Sequence, residues 1–316
     1  MAFAFIFPGQ GSQFVGMGQA LADAFPASKA VFQEVDDVLS QNLSKLMWDG
    51  PEDELTLTSN TQPALMATSV AAIAALKDEF DVDVTAASFV AGHSLGEYSA
   101  LCAVGAISLS DTARLLRLRG DAMQKAVPVG AGAMAALLGA SVEDAEAAAS
   151  AGAKHGICQI ANDNATGQIV LSGEVAAVEA ACVFARDAGV KKAVILPVSA
   201  PFHCDMMAPA AEAMKDALAD TIINAPRVSV VNNVTARPVT DADQIRSDLV
   251  TQVTGRVRWR ESIEWMASDG GIDTFAEPGC GKVLTQMLKR IVKGVDGNAL
   301  STPESLEAFA KTIKGE

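Results

Sequence analysis

The segment 89–97 constrains the fold of this chain more than any other stretch. It reads FVAGHSLGE: apolar residues lead to a glycine, Ser94 lies between two glycines spaced G-x-S-x-G, and a helix-forming run follows at 98–104. This order predicts a strand, a sharp turn and a helix. Such a turn strains the serine backbone and exposes its hydroxyl beside unpaired helix N–H groups, which can stabilise an oxyanion. An ordinary glycine-rich turn is the alternative that the pentapeptide alone leaves open.

Length and charge restrict the classes of protein to which the chain can belong. Half of the 316 residues are hydrophobic, which is enough for one large core and a second, smaller one. The net charge of −14 argues against a generic nucleic-acid or anionic-membrane surface. The longest weakly polar run, 64–76, is too short to cross a bilayer. We therefore expect a soluble protein that binds neither nucleic acid nor membrane.

The cysteines indicate the redox environment. They are odd in number and no two are spaced C-x-x-C: Cys102, Cys158, Cys182, Cys204 and Cys280. This scatter predicts reduced thiols in the cytoplasm and no zinc or other metal site.

A glycine-rich loop, PGQGSQ at 8–13, follows the first predicted strand, 2–7. A dinucleotide-binding loop is excluded because Phe14 occupies the position of the third glycine in G-x-G-x-x-G, and no suitable acidic residue follows a second strand. The two glycines favour a close backbone approach to another group, with the N–H of Gln10 exposed between them. A tight turn without chemistry is the alternative.

Three arginines lie among leucines at 114–119, in a predicted helix that Ser108 or Ser110 caps. Such a helix face is usually solvated. At 3.6 residues per turn, however, Arg119 falls on the side of the leucines at 115 and 116, which favours an inward orientation. An inward arginine needs an anionic partner, and a ligand carboxylate is a candidate because none is obvious nearby in the sequence.

The remaining elements divide the chain into two domains. The order strand, helix, strand, strand, helix, strand over 128–198 is that of a ferredoxin-like subdomain, with 162–167 as the turn between its middle strands. Residues 1–127 and 199–316 alternate helices and strands and form a larger α/β domain. Its further predicted elements are helices at 16–25, 27–39, 61–80, 241–253 and 259–268, strands at 227–231, 272–276 and 298–301, and helices after Lys282 and from 303.

A nucleophilic serine needs a base within hydrogen-bond reach, and the chain has only three histidines. His93 adjoins Ser94 at the strand end and should face away from the hydroxyl, and His155 lies in the inserted subdomain. His203 lies on the loop that re-enters the larger domain and is the preferred base. Asp205 is too close in sequence to serve comfortably as a third member, but a backbone carbonyl can orient the imidazole, so a serine–histidine dyad is adequate.

Six motifs occur in the order seen in malonyl-CoA:acyl carrier protein transacylases, and the chain resembles this family over nearly its whole length. They are FPGQGSQ at 7–13, TQPAL at 61–65, GHSLGE at 92–97, RLRG at 117–120, PFH at 201–203 and PGCGKVL at 278–284. The resemblance implies an α/β-hydrolase-like core with a ferredoxin-like insert. It also implies that malonyl-CoA is the substrate, that the pantetheine thiol of acyl carrier protein accepts the acyl group, and that no cofactor takes part.

The resemblance assigns the catalytic groups residue by residue. Ser94 would attack the thioester, with His203 as base, and carry the malonyl group as an ester. The backbone N–H groups of Gln10 and Leu95 would form the oxyanion hole, and the carbonyl of Gln252 would orient the histidine.

It also assigns the groups that select the acyl chain. Arg119 would hold the malonyl carboxylate through two parallel hydrogen bonds and so favour malonyl over acetyl. Gln62 and Asn162 match positions near the family's site. Phe202 resembles the malonyl-selective form of related polyketide acyltransferases, in which a bulky ring would crowd an α-methyl group.

Basic residues form three clusters in this acidic chain, and we hypothesise that some of them receive CoA phosphates and an acidic carrier protein. They are Arg256, Arg258 and Arg260; Lys282, Lys289, Arg290 and Lys293; and Lys191 and Lys192. Solvated helix faces are the alternative.

Other functions stay open at this point. A serine thioesterase or esterase shares the G-x-S-x-G turn but gives Arg119 no role, and a carrier-protein-binding scaffold would form no covalent adduct. The product could feed fatty acid biosynthesis or a polyketide pathway. A monomer is reasonable for this length.

Overall fold

Among residues 2–316, which a computed structural model describes, ten strands form two separate sheets. The strands are β1 (Phe3–Phe7), β2 (Phe89–Gly92), β3 (Gly132–Leu138), β4 (Cys158–Ala165), β5 (Gln168–Glu174), β6 (Lys192–Ile195), β7 (Val230–Val231), β8 (Pro238–Val239), β9 (Thr274–Pro278) and β10 (Asp296–Leu300). The fold is therefore of the mixed α/β class.

Helices surround both sheets. The α-helices are α1 (Gln19–Ala24), α2 (Pro26–Leu39), α3 (Leu43–Asp49), α4 (Glu52–Thr56), α5 (Thr58–Phe80), α6 (Leu95–Ala103), α7 (Leu109–Ala126), α8 (Val142–Gly152), α9 (Val175–Asp187), α10 (Ala208–Ala219), α11 (Ala242–Thr254), α12 (Trp259–Ser268), α13 (Val283–Ile291) and α14 (Pro303–Lys314). Within residues 2–316, no helix combines the length and apolar character that a membrane span requires.

The larger sheet has the order β10-β9-β1-β2-β7-β8, and every neighbouring pair is parallel except β7 with β8. Strand β1 is buried on both faces, because Phe3, Phe5 and Phe7 pack in one apolar cluster and Ala4 and Ile6 in another. The carboxyl ends of β1 and β2 lie at the same edge of the sheet, so the loops that follow them meet there.

The smaller sheet is antiparallel, with the order β4-β5-β3-β6. One face packs against α8 and α9 through small apolar residues such as Ala135, Ala148 and Ala181. The other face carries Met134 and Val170, and it forms one wall of a cavity whose opposite wall is the edge of the larger sheet.

The predicted turn at 162–167 is wrong in extent. Residues 162–165 belong to β4, and the turn contains only Thr166 and Gly167. The polar run is turn-like in composition, but its side chains are buried against distant partners. Asp163 binds Arg260, and its backbone N–H donates to the carbonyl of Val257. These tertiary contacts override the local turn preference.

Other elements also differ from prediction in extent or in number. Helix α5 begins at Thr58 rather than at Thr61 and contains Pro63, which costs this buried helix a single backbone hydrogen bond. The strand expected at 227–231 is reduced to Val230–Val231. Helices α3 and α4 were not predicted, because both are short and their apolar periodicity is correspondingly brief.

Candidate active site

The segment around Ser94 forms the predicted strand, turn and helix, β2 to α6. Ser94 adopts a backbone conformation with a positive φ of 54° and a ψ of −111°, which is strained for a residue with a side chain. A Cβ on Gly92 would lie 1.9 Å from the backbone of Gly96, and a Cβ on Gly96 would lie 2.2 Å from the carbonyl oxygen of Phe7. Both glycines are therefore required by close backbone approach.

His203 lies beside the serine, with its Nε2 2.8 Å from Ser94 Oγ. Its Nδ1 lies 2.9 Å from the carbonyl oxygen of Gln252 and 3.2 Å from that of Gly255. Two carbonyl acceptors require the proton on Nδ1, which leaves Nε2 free to accept the serine proton. Sequence reasoning named the Gln252 carbonyl and missed that of Gly255.

The environment of His203 favours the neutral imidazole. Burial, followed by the positive charge of Arg119, lowers the pKa of His203 to about 3. No carboxylate contacts the ring among residues 2–316, and the carboxylate of Asp205 binds Gln159 instead. The pair is thus a dyad oriented by backbone carbonyls.

The other two histidines take no part in this pair. His93 faces away from the hydroxyl, as expected: its Nε2 lies 2.8 Å from Asn164 Oδ1 and its ring contacts Trp259 edge-on. His155 is exposed in a short 3-10 helix between α8 and β4.

Arg119 points inward from α7 and is only 1% exposed. Its Nη1 donates to Gln62 Oε1 at 2.9 Å, and its Nη2 donates to Gln252 Oε1 at 2.8 Å and to Ser94 Oγ at 3.2 Å. The ring of Tyr98 lies 5.7 Å away. No carboxylate lies within 4.0 Å of the guanidinium among residues 2–316, so its acceptors are all neutral.

A cavity of about 500 Å³ brings the predicted site residues together. Those in its lining are Gln10, Gln62, Ser94, Leu95, Arg119, Asn162, Phe202 and His203. The backbone N–H groups of Gln10 and Leu95 have no hydrogen-bond acceptor within the described part of the chain. Gln252 does not line the cavity but contacts two residues that do: its carbonyl accepts from His203 and its side-chain amide oxygen accepts from Arg119.

Two residues that hold the serine turn were missed by sequence reasoning. Asn233 Oδ1 accepts from the N–H of Ser94 at 2.7 Å, and its Nδ2 donates to the carbonyl of Gly92 at 2.7 Å. Glu97 is buried at 2% exposure, and its Oε2 accepts from the N–H of Asn233 and from Gln252 Nε2. Asn233 follows the buried strand β7, and a polar residue just after a buried parallel strand indicates a position near the functional edge of the sheet. This signal could have identified Asn233 from the sequence.

The three arginines of the cluster at 256–260 are all close to carboxylates, so this cluster is a weaker candidate for the hypothesised docking surface than the other two. Arg256 lies 3.7 Å from Glu146, and Arg258 pairs with Glu261 three residues along α12. Arg260 pairs with Asp163 of β4 and with Glu264 of α12, and these ion pairs hold β4 against α12. The acidic partners follow one helical turn later or come from α8 and β4, which inspection of 256–260 alone does not reveal.

The other two basic clusters are exposed. Arg290 donates to Gln168, which lies opposite Leu138 in the smaller sheet, and Leu138 in turn lies opposite Lys192. The two clusters therefore approach one another across that end of the sheet. No carboxylate lies within 4.0 Å of their cationic groups in the described residues.

Neither metals nor thiols explain the site. Among residues 2–316, no group of three or more His, Cys, Asp or Glu side chains is arranged to hold a metal ion. Cys204 adjoins His203 but is fully buried, its Sγ lies 3.2 Å from the carbonyl of Pro201, and burial raises its pKa. It is a structural thiol.

Comparison with known proteins agrees with this geometry. The model of the acyl transferase domain matches residues 4–303. Malonyl CoA-acyl carrier protein transacylase of Bacillus subtilis (strain 168) is 43% identical over 314 residues, which cover 99% of this chain and 98% of the relative.

Two solved structures share the fold. The crystal structure of acyl-carrier-protein-S-malonyltransferase from Bartonella henselae has 53% identity and a TM-score of 0.97, covering 99% of this chain and 100% of that one. A malonyl-transacylase in complex with a type II PKS acyl-carrier protein has 41% identity and a TM-score of 0.94, with 100% of both chains covered. The chain belongs to the acyl transferase family, among its malonyl-CoA:acyl carrier protein transacylases.

Proposed function

We propose that this chain transfers the malonyl group of malonyl-CoA to the pantetheine thiol of acyl carrier protein through a malonyl ester of Ser94. One observation carries the proposal: Ser94 Oγ lies within hydrogen-bond reach of both a neutral imidazole, His203, and a buried guanidinium, Arg119. A base beside the hydroxyl provides the nucleophile, and a cation beside it provides the site for a substrate carboxylate.

The first half-reaction forms the ester. His203 Nε2 accepts the proton of Ser94 as Oγ attacks the thioester carbonyl carbon. The oxyanion of the tetrahedral intermediate accepts from the N–H groups of Gln10 and Leu95. The C–S bond then breaks, and the CoA thiolate leaves with the proton that Nε2 held. The carbonyls of Gln252 and Gly255 keep the imidazole oriented throughout.

The second half-reaction repeats these steps with the carrier thiol. The thiol gives its proton to His203, its sulfur attacks the ester, and the leaving alkoxide of Ser94 takes the proton back. No cofactor is needed, because each step exchanges one proton and one acyl group between these groups.

Arg119 provides the selectivity in this proposal. A malonyl carboxylate would pair with the guanidinium through parallel hydrogen bonds, whereas an acetyl group leaves the buried cation without an anion. The ring of Phe202 packs beside Met134 and Val170 on the cavity wall, where it would crowd an α-methyl group. Gln62 supports Arg119 from the other side, and Asn162 lines the same cavity.

The two exposed basic clusters, 191–192 and 282–293, are the proposed docking surface for the acidic carrier protein and the CoA phosphates. Reversing Lys289 and Arg290 to glutamate should raise the KM for carrier protein and weaken the dependence of its kinetics on salt. Arg258→Glu is the matched control, because that arginine is already paired. Equal carrier kinetics in all three proteins would contradict this docking site.

The strand orders of the two sheets support a finer description of the architecture. We assign residues 1–127 and 199–316 to an α/β-hydrolase-like domain and 128–198 to a ferredoxin-like subdomain. We also propose a cytoplasmic monomer serving fatty acid biosynthesis, and the five unpaired thiols suit that compartment. Relative kcat/KM with fatty acid and polyketide carrier proteins tests the pathway.

Intact mass spectrometry after incubation with malonyl-CoA tests the function. We expect a stable malonyl-sized mass increase that is absent from Ser94→Ala, strongly slowed in His203→Ala and normal in His155→Ala, which removes an exposed histidine. Carrier protein bearing its pantetheine should remove the adduct and gain the same mass. Rapid loss of the adduct to water would indicate a thioesterase, and no adduct would indicate a non-catalytic scaffold.

A further inference from the structure

Glu97 is a buried carboxylate that the reaction itself does not use. It lies in the first turn of α6, and one oxygen, Oε2, accepts from the backbone N–H of Asn233 at 3.0 Å and from Gln252 Nε2 at 2.9 Å. No Lys, Arg or His nitrogen lies within 4.0 Å of it in the described part of the chain. A buried carboxylate without a cation is costly, so its position calls for a reason.

Its first partner, Gln252, is held in one of two possible amide orientations. Both hydrogens of Nε2 are used, because the amide donates to Glu97 and, at 3.0 Å, to the carbonyl of Ser94. Oε1 must then face Arg119 Nη2, from which it accepts at 2.8 Å. The reversed amide would point its donors at a guanidinium that has only donors. Glu97 therefore fixes the amide orientation in which Gln252 Oε1 accepts from Arg119 and holds the guanidinium beside Ser94 Oγ.

Its second partner, Asn233, holds the strained serine turn from both sides. The side chain accepts from the N–H of Ser94 and donates to the carbonyl of Gly92, both at 2.7 Å. The backbone N–H of Asn233 is the group that Glu97 binds. One carboxylate thus connects the two amide side chains that hold the nucleophile and the guanidinium.

We propose that Glu97 is a positioning residue that sets the preference for malonyl over acetyl by holding Gln252, and through it Arg119, in register with Ser94. The inference rests on the proposed transfer of a malonyl group. Glu97 itself contacts neither the substrate nor the reacting atoms. A purely structural alternative exists, since an acidic residue in a first helical turn stabilises the helix. That role would change the amount of folded enzyme and leave acyl selectivity untouched.

The ratio of kcat/KM for malonyl-CoA to that for acetyl-CoA separates the two roles, because the concentration of folded enzyme cancels from it. In Glu97→Leu we expect the ratio to fall at least about tenfold, because the oxygen that accepts from the Gln252 amide is lost. Glu97→Gln should keep the ratio within about twofold, because one amide oxygen can accept both hydrogen bonds. Asp36→Asn is the matched control: this partly buried carboxylate accepts from the backbone N–H and the hydroxyl of Ser44, away from the cavity, and its removal should leave the ratio unchanged.

A second variant tests the same connection if Glu97→Leu does not fold. Gln252→Met keeps the backbone carbonyl that His203 uses and removes only the side-chain amide, so it should lower the ratio comparably. In the double variant the two losses should not add, because they interrupt one path.

An unchanged ratio in Glu97→Leu or in Gln252→Met overturns the inference, as does a loss in Glu97→Gln as large as in Glu97→Leu. Failure of the proposed function is recognised separately, since the unaltered protein would then form no malonyl adduct at all.

Discussion

Arg119 and Arg260 are two partly or fully buried arginines of the same chain with opposite surroundings. Arg260 forms ion pairs with Asp163 and Glu264, each at 2.8 Å, and these carboxylates raise its pKa. Arg119 is deeper, yet its acceptors are the amide oxygens of Gln62 and Gln252 and the hydroxyl of Ser94, and burial lowers its pKa.

The difference separates a structural arginine from the one that we propose binds the substrate carboxylate. Neutral oxygens accept from both Nη atoms of Arg119 without neutralising its charge, and its buried Nε has no acceptor among the described residues. The guanidinium is therefore available to an anion that enters the cavity. The charge of Arg260 is already compensated, and its ion pairs join β4 of the smaller sheet to α12. Burial alone does not mark a binding arginine; Arg119 is distinguished by burial without a carboxylate partner at the wall of a cavity.

Removing Arg119 should have the largest effect. We expect Arg119→Met to lower kcat/KM for malonyl-CoA about 100- to 1000-fold, because a buried charge-assisted pair is lost. Acetyl transfer should hold or rise, since acetyl has no carboxylate to bind. Steady-state kinetics with both thioesters measure this. An unchanged malonyl preference would remove Arg119 from the site.

Removing Arg260 should damage stability and spare selectivity. Arg260→Met leaves the carboxylate of Asp163 buried at 1% exposure without its cation, which should lower the free energy of unfolding by about 3 kcal/mol. Denaturant unfolding measures the loss, and Asp163→Asn in the same chain should recover part of it. The comparison between the arginines would fail if the malonyl-to-acetyl ratio changed as it does in Arg119→Met.

The pH dependence of acylation should also distinguish the two arginines, with a smaller effect than the kinetic and stability changes above. Only neutral His203 can accept the serine proton, so acylation slows as the pH falls through its pKa, which burial and Arg119 lower to about 3. Loss of the neighbouring positive charge in Arg119→Met should raise that pKa and move the acid limb of acetyl-CoA acylation to higher pH. Arg260→Met should leave the limb in place. Coincident profiles in all three proteins would contradict the electrostatic contact.

Local patterns predicted the parts of the site that depend on neighbours in the chain. The strand, turn and helix at Ser94 followed from two glycines and an apolar run, and the inward orientation of Arg119 followed from the helical period. The choice of His203 needed only a count of histidines and a real turn at the serine. The family resemblance added the acyl group and the role of Gln252.

Contacts between distant segments could not be predicted in the same way. Glu97 and Asn233 are 136 positions apart, and nothing in either segment specifies the hydrogen bond that joins them. The polar residues at 162–165 have a turn composition and yet form a strand, because Arg260 and His93 satisfy them from afar. A count of charges within 256–260 likewise fails to show that Arg256 and Arg260 pair with carboxylates from distant segments.

We infer that the guanidinium of Arg119, which has no carboxylate within 4.0 Å among the described residues, selects the malonyl carboxylate, and Gln62→Glu tests this most directly. This change would give Arg119 a protein carboxylate, as Arg260 has. The measurement is the mass of the acyl-enzyme formed from equimolar malonyl-CoA and acetyl-CoA. Gln41→Glu is the control, because Gln41 accepts from Arg117, which lies on α7 with Arg119 but outside the cavity.

In that competition we expect the unaltered protein and Gln41→Glu to carry malonyl, and Gln62→Glu to shift toward acetyl by about tenfold. A Gln62→Glu enzyme that forms the malonyl adduct as selectively as the unaltered protein would contradict the claim.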